Sequence, residues 1–148
     1  MSNGVVPKVY LAGAIRGDRE FIEYYRSLIS FLEGREDCHV LAELSLIGRS
    51  EKLKDDAAIY TRDRAWLDQA DLMIAEISAP SLGVGYEIAY ALHVRRIPVL
   101  ALRHARIGRS SAMVEGNQSP GLTLWTYEDA VQMQQRALEF IRKSGYLI

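Results

Sequence analysis

The segment Ser81-Leu82-Gly83-Val84-Gly85-Tyr86-Glu87 combines the residue types needed to cradle a phosphate and to present a carboxylate beside it. The apolar run Leu72-Met73-Ile74-Ala75 before it reads as a buried strand and Ala79-Pro80 ends that strand, while Glu87 to Leu92 has helix-forming composition. Glycines between a strand and a helix leave backbone N–H groups open, and these favour an anion. On this spacing Glu87 falls in the first helical turn. There the helix N-terminus would keep it ionised, either as a nucleophile towards a sugar's anomeric carbon or simply as a helix-capping charge. Glycosidic cleavage with retention needs a second group to assist the leaving base, and in retaining enzymes the two carboxyls lie roughly 5 Å apart. Asp63, within Tyr60-Thr61-Arg62-Asp63-Arg64-Ala65-Trp66, is the candidate, although its spacing alone fits a solvated, charge-mixed helix face. Tyr10 interrupts an aliphatic strand; it could aim its hydroxyl at a carboxylate or serve as an ordinary core tyrosine.

Other residues fit chemistry and plain structure equally well. Gly13-Ala14-Ile15-Arg16-Gly17 follows the first strand and could offer N–H groups and a guanidinium to a phosphate, or form only a strand-to-helix turn. Ser111, in Ser111-Ala112-Met113, could contact a ligand or cap a helix. Met113 and Met133 read as core residues, and Trp66 and Trp125 as packing anchors. His39, His93 and His104 have no partner spacing that suggests catalysis. Cys38 is the single cysteine, which excludes an internal disulfide, and no metal-ligand spacing is present. It reads as a small buried apolar residue.

These groups must be positioned by one domain, residues 1–148, since 148 residues suit a single core. With 49% hydrophobic and 25% charged residues and a formal net charge of -1, neither a disordered chain nor a nucleic-acid-polymer binder is expected. No run of about 18 apolar residues or signal-like start is visible, so no membrane partner is expected. The expected location is the reducing cytoplasm, or the nucleus if the source is eukaryotic.

Strand-like and helix-like segments alternate along the chain. Strands are expected at Lys8 to Ala12, His39 to Leu41, Leu72 to Ile77 and Ile97 to Leu102, with a weaker one at Leu122 to Thr126. Helices are expected at Glu20 to Glu33, Asp55 to Ala70, around Glu87, and at Tyr127 to Ser144; Arg103 to Ser119 has no firm element. Near-continuous apolar strands between helices indicate an α/β fold: a doubly wound, Rossmann- or flavodoxin-like three-layer sandwich of about five mostly parallel strands. Ligands bind such folds at the carboxyl ends of the strands, where Gly13 to Arg19, Glu43 to Ser45 and Ser81 to Glu87 would converge.

Taken together, Tyr10 to Glu20, Asp63 to Asp71, Pro80 to Glu87 and Ser111 to Met113 resemble, in order and over nearly the whole chain, the 2'-deoxynucleoside 5'-phosphate N-hydrolases of the nucleoside 2-deoxyribosyltransferase superfamily. The resemblance implies hydrolysis of deoxynucleoside monophosphates to free base and 2-deoxyribose 5-phosphate, without metal or organic cofactor. It makes Glu87 the nucleophile of a deoxyribosyl-enzyme intermediate, Asp63 the carboxylate assisting the leaving base, and Tyr10 the group that positions the nucleophile. Substrate contacts would come from Gly13, Ala14, Ile15, Arg16, Gly17 and Arg19, from Tyr25, and from Ser81 and Gly83. Ser111, with Ala112 and Met113, would act from the partner subunit of a homodimer. Ala14 stands where known members carry serine, and Leu44 where they carry histidine, which leaves base preference open. A ribonucleotide glycosidase acting on CMP-type substrates, a deoxyribosyltransferase and a non-catalytic nucleotide-binding module are the alternatives.

Overall fold

In the computed structural model the described residues are 4–15, 20–43 and 55–148. Five strands, β1 (Lys8–Ala12), β2 (His39–Leu41), β3 (Leu72–Glu76), β4 (Val99–His104) and β5 (Leu122–Tyr127), form one parallel sheet in the order β2-β1-β3-β4-β5. The order reverses between β1 and β3, the switch point at which doubly wound sheets open a crevice. The three-layer α/β expectation therefore holds, with all pairings among the described strands parallel.

Alternation along the strands divides the core into two faces. Val9, Leu11, Leu72, Ile74, Leu100 and Leu102 pack against α1 (Ile22–Glu33) and α5 (Ala130–Lys143). Helix α1 meets them with Tyr25, Leu28, Ile29 and Leu32, spaced for one helical face. On the other face Tyr10, Ala12, Met73, Ala75, Val99 and Ala101 meet α2 (Asp56–Gln69) and α3 (Leu82–Ala89). Ala12 pairs with Ala75 and Ala75 with Ala101, a row of small side chains that keeps this face shallow beneath α3.

Several boundaries differ from the sequence expectation. Asp129 caps α5 by accepting the Gln132 N–H at 2.8 Å, so this helix starts at Ala130 and not at Tyr127, which completes β5. The segment Arg103 to Ser119 contains a short helix α4 (Ala112–Glu115), begun by Ser111 accepting the Met113 N–H at 3.3 Å. Met113 is 84% exposed, against the expectation of a core methionine; the four-residue helix turns Val114 inward in its place. Met133 is fully buried and Cys38 is buried as expected, with burial raising its thiol to about 12.

The largest correction concerns α3. Ser81 adopts an extended backbone and accepts the Val84 N–H on Oγ at 3.3 Å, so the helix starts at Leu82. Gly83 and Gly85 are helical residues, and Glu87 stands in the second turn. The serine cap outweighs the modest cost of glycine near a helix end. After Ala89 the helix widens into a π-helical turn, Tyr90–Arg95, ended by Arg96 at φ 55°. Its Arg95 guanidinium donates to the carbonyls of Leu67 and Ala70 at the end of α2, tying the two helices together.

Candidate active site

A cleft of about 460 Å³ opens at the switch point, walled by Gly13 and Ile15 after β1, Glu43 after β2, and residues of α2 and α3. This volume suits a nucleotide-sized ligand. Helix α2 contributes Asp56, Ile59, Tyr60 and Asp63, a 3-and-4 spacing that aligns them on one face; α3 and its cap contribute Ser81, Leu82, Gly83, Tyr86 and Glu87. A small recess of about 30 Å³ continues inwards past Glu87, Asp63 and Glu43 to Tyr10 and Tyr25.

Glu87 is held in a setting opposite to the one its sequence position suggested. In the second turn it no longer sits at the helix mouth, and burial pushes its carboxyl up to about 7, with the acids Asp63 and Glu43 adding to the rise. The Tyr10 hydroxyl donates to the carboxylate and, with the Arg62 guanidinium, opposes that rise. Tyr10 is available because strand alternation turns it to the α2/α3 face while Val9 and Leu11 face α1 and α5. Its own hydroxyl is driven far up, first by burial and then by the Glu87 charge, so Tyr10 remains a donor at any working pH.

Asp63 is not part of a solvated face: its side chain is 18% exposed and accepts from Arg62 Nε at 2.9 Å. The same Arg62 guanidinium lies 3.7 Å from Glu43 and 4.7 Å over the Trp66 ring. Arg62 therefore spreads one positive charge between two cleft acids. Helix α3 supplies the complementary feature. Its geometry gives the N–H groups of Leu82 and Gly83 no intrahelical acceptor, and both residues wall the cleft. A side chain on Gly83 would project into the space between Glu87 Oε1 at 3.7 Å and Ser81 Oγ at 4.0 Å.

Tyr10, Gly13, Ile15, Asp63, Ser81, Gly83 and Glu87 thus come together around the cleft and its recess. Tyr25 lies beneath them, its hydroxyl donating to the Leu11 carbonyl at 2.9 Å and its ring against Gly13. A Cβ on Gly13 would come within 2.7 Å of that ring, which explains the glycine. Ala14 is not among the residues walling the cleft. Ser111 caps α4 and lines a separate hollow of about 100 Å³ that shares Pro80, Ser81 and Val84 with the cleft; Ala112 and Met113 are exposed. Arg16, Gly17, Arg19, Leu44 and Ser45 lie outside the described residues. Among the described residues, no three His, Cys, Asp or Glu side chains converge closely enough to hold a metal ion.

Sequence reasoning missed Arg62, Asp56 and the rim pair Tyr60 and Tyr86, whose hydroxyls are 3.3 Å apart. The helical spacing of Asp56, Ile59, Tyr60 and Asp63 was a usable signal. For Arg62 the i,i+4 spacing to Trp66 on α2 was visible, but its link to Glu43 exists only through the fold.

Comparison with known proteins agrees with this geometry. The nucleoside 2-deoxyribosyltransferase family model matches residues 9–121. A Syntrophotalea carbinolica protein, whose name places it among the 2'-deoxynucleoside 5'-phosphate N-hydrolases, is 42% identical, the alignment covering 85% of this chain and 88% of the relative. The Mus musculus 5-hydroxymethyl-dUMP N-hydrolase is 38% identical, covering 97% of this chain and 87% of its own. The structure of Clostridium botulinum CMP N-glycosidase superposes with a TM-score of 0.64 at 18% identity, covering 90% of this chain and 98% of that one, a likeness of fold. With the match spanning β1 to the residue before β5, and with these relatives alongside, the chain belongs to the nucleoside 2-deoxyribosyltransferase family.

Proposed function

We propose that this protein hydrolyses the N-glycosidic bond of 2'-deoxynucleoside 5'-monophosphates, releasing the free base and 2-deoxyribose 5-phosphate. The observation that carries this reading is the meeting, in one nucleotide-sized cleft, of a buried glutamate under a tyrosine donor, a second carboxylate, and a serine-capped helix mouth. The names of the relatives support it.

In this scheme the substrate phosphate sits at the mouth of α3, by Ser81 and Gly83, with help from the Gly13 to Arg19 loop. A carboxylate oxygen of Glu87 bonds to the sugar C1' while the C1'–N bond breaks. The electron pair of the C1'–N bond leaves with the base, which takes a proton from Asp63, protonated in the reactive complex. Water then attacks C1', giving its proton to Asp63, and the bond to Glu87 breaks to restore both groups. Tyr10 orients Glu87 and stabilises its ionised form.

The site is completed by a second copy of the chain, with Ser111 reaching the partner's phosphate. Supporting this, α3 turns Leu82 and Tyr86 outwards at 97% and 52% exposure, and Met113, 84% exposed, lies on α4 nearby. Met113→Glu should then yield a monomer by analytical ultracentrifugation and lose activity with it. A cytoplasmic location accompanies this reading; among the described residues no helix is long and apolar enough to cross a membrane.

The decisive experiment incubates the protein with deoxy- and ribonucleoside monophosphates and unphosphorylated nucleosides, with and without an acceptor base, and follows base release by chromatography. Free base from deoxynucleoside monophosphates is expected. Absence of release from every monophosphate would overturn the proposal, and a new nucleoside would make the protein a transferase.

A further inference from the structure

Three strands end around a buried carboxylate that the hydrolytic scheme does not use. Glu76, 4% exposed, closes β3 and accepts hydrogen bonds from the Ser78 N–H, from the Ser78 hydroxyl at 3.0 Å, and from the Tyr127 hydroxyl at the end of β5. Ser78 Oγ in turn accepts the N–H of His104, the last residue of β4, at 2.7 Å. The Ile77 N–H between them donates to the Leu102 carbonyl at 2.9 Å. Burying a carboxylate is costly where an apolar side chain would pack, so a charge kept here calls for a reason. Burial raises the Glu76 pKa, and the three donors act against that rise.

The arrangement points outwards from the core to the cleft. Ser78 is held through its N–H and on both roles of its hydroxyl, which fixes its backbone and rotamer together. From Ser78 the chain needs only Ala79 and Pro80 to reach Ser81, and proline restricts φ on that path. Ser81 is the cap that sets where α3 begins and where its open N–H groups face. Pro80 and Ser81 wall both the cleft and the neighbouring hollow that Ser111 lines.

We infer that Glu76, acting through Ser78 and Tyr127, is a positioning residue for the phosphate seat, fixing the Ala79–Ser81 turn so that the capped mouth of α3 meets the substrate. The inference rests on the reading of that mouth as the phosphate site. It concerns Glu76 alone, whatever reaction the cleft performs on the sugar.

The test is titration of 2-deoxyribose 5-phosphate into the parent, Glu76→Gln and Tyr127→Phe proteins by calorimetry, well below each melting temperature, together with kcat and KM for a deoxynucleoside monophosphate. Tyr127→Phe is the gentler change, because its ring is held by Tyr24 and His104 at centroid distances of 5.4 and 5.2 Å. Glu76→Gln should weaken sugar-phosphate binding by about tenfold to a hundredfold, as expected of a displaced substrate-holding loop. Tyr127→Phe should weaken it by about threefold, one neutral-donor hydrogen bond's worth. KM should rise in parallel, with kcat within about twofold of the parent. A lowered melting temperature with parental affinity would reveal a merely structural role and overturn the inference. If Glu76→Gln does not fold, parental affinity in Tyr127→Phe overturns it alone. Because the primary readout is binding, a parent that binds the sugar phosphate but releases no base defeats the hydrolytic reading without touching this one.

Discussion

Glu76 and Glu87 lie on opposite faces of the same sheet, and among the described residues their surroundings differ in the number of donors that meet each carboxylate. Strand alternation puts Glu76 with Leu72 and Ile74 on the α1/α5 face, where three donors hold it in a region packed by Tyr127 and Leu102. Glu87 stands on the α2/α3 face above the alanine row, with Tyr10 as its side-chain donor and with Asp63 and Glu43 raising its pKa. Burial raises both acids. A carboxylate held by three donors has most of its lone pairs committed and serves architecture; one with fewer donors and like charges beside it keeps an oxygen available for reaction. The face with small side chains and a cleft is the one that holds Glu87, the proposed nucleophile.

The contrast can be tested at its most extreme point by removing the reactive acid. Glu87→Ala should reduce turnover by at least about a thousandfold, measured as base release, because it removes the proposed attacking oxygen. Asp63→Asn should follow, lowering kcat by about a hundredfold to ten-thousandfold while leaving nucleotide affinity near that of the parent in calorimetric titration.

Burial of Glu87 has a thermodynamic consequence. The folded-state pKa of Glu87 is raised from its ordinary 4.5 to about 7, so across that window the folded chain keeps a proton that the unfolded chain has lost. Stability therefore falls as pH rises from about 4.5 to 7, and the deficit is fully present above about 7. Glu87→Gln removes this charge. It should unfold at higher denaturant concentration than the parent at pH 8, by up to about 3 kcal/mol, and match the parent near pH 4.

The smallest effect concerns Tyr10. Its hydrogen bond favours ionised Glu87, so the acid limb of kcat/KM, expected near pH 7 in the parent, should move upwards in Tyr10→Phe by about one unit. An unmoved limb would mean that Tyr10 does not tune Glu87.

Much of this was legible in the linear chain. Strands β1, β3 and β4 are short apolar runs, and burial on both sides of a parallel sheet demands that composition; the edge strand β5, with two threonines and half-buried residues, gives the weaker signal. Tyr10, Asp63 and Glu87, which the family resemblance grouped and residue spacing alone did not, line one recess. The start of α3 was misjudged because a local cap decides it: the Ser81 hydroxyl captures the Val84 N–H and recruits two glycines into the helix. That shift of one turn also reversed the expected electrostatics of Glu87.

Residue order thus determined the α/β alternation, the carboxylates and the glycine at position 13, since propensity and hydrophobic period are local properties. The fold alone decided the surroundings of each acid. The approach of Glu43 to Arg62, Tyr127 against Glu76, and the elevated pKa of Glu87 all arise from groups far apart in sequence brought together in a medium of low polarity. Desolvation and donor count are properties of a packed neighbourhood, and no local pattern in the chain encodes them.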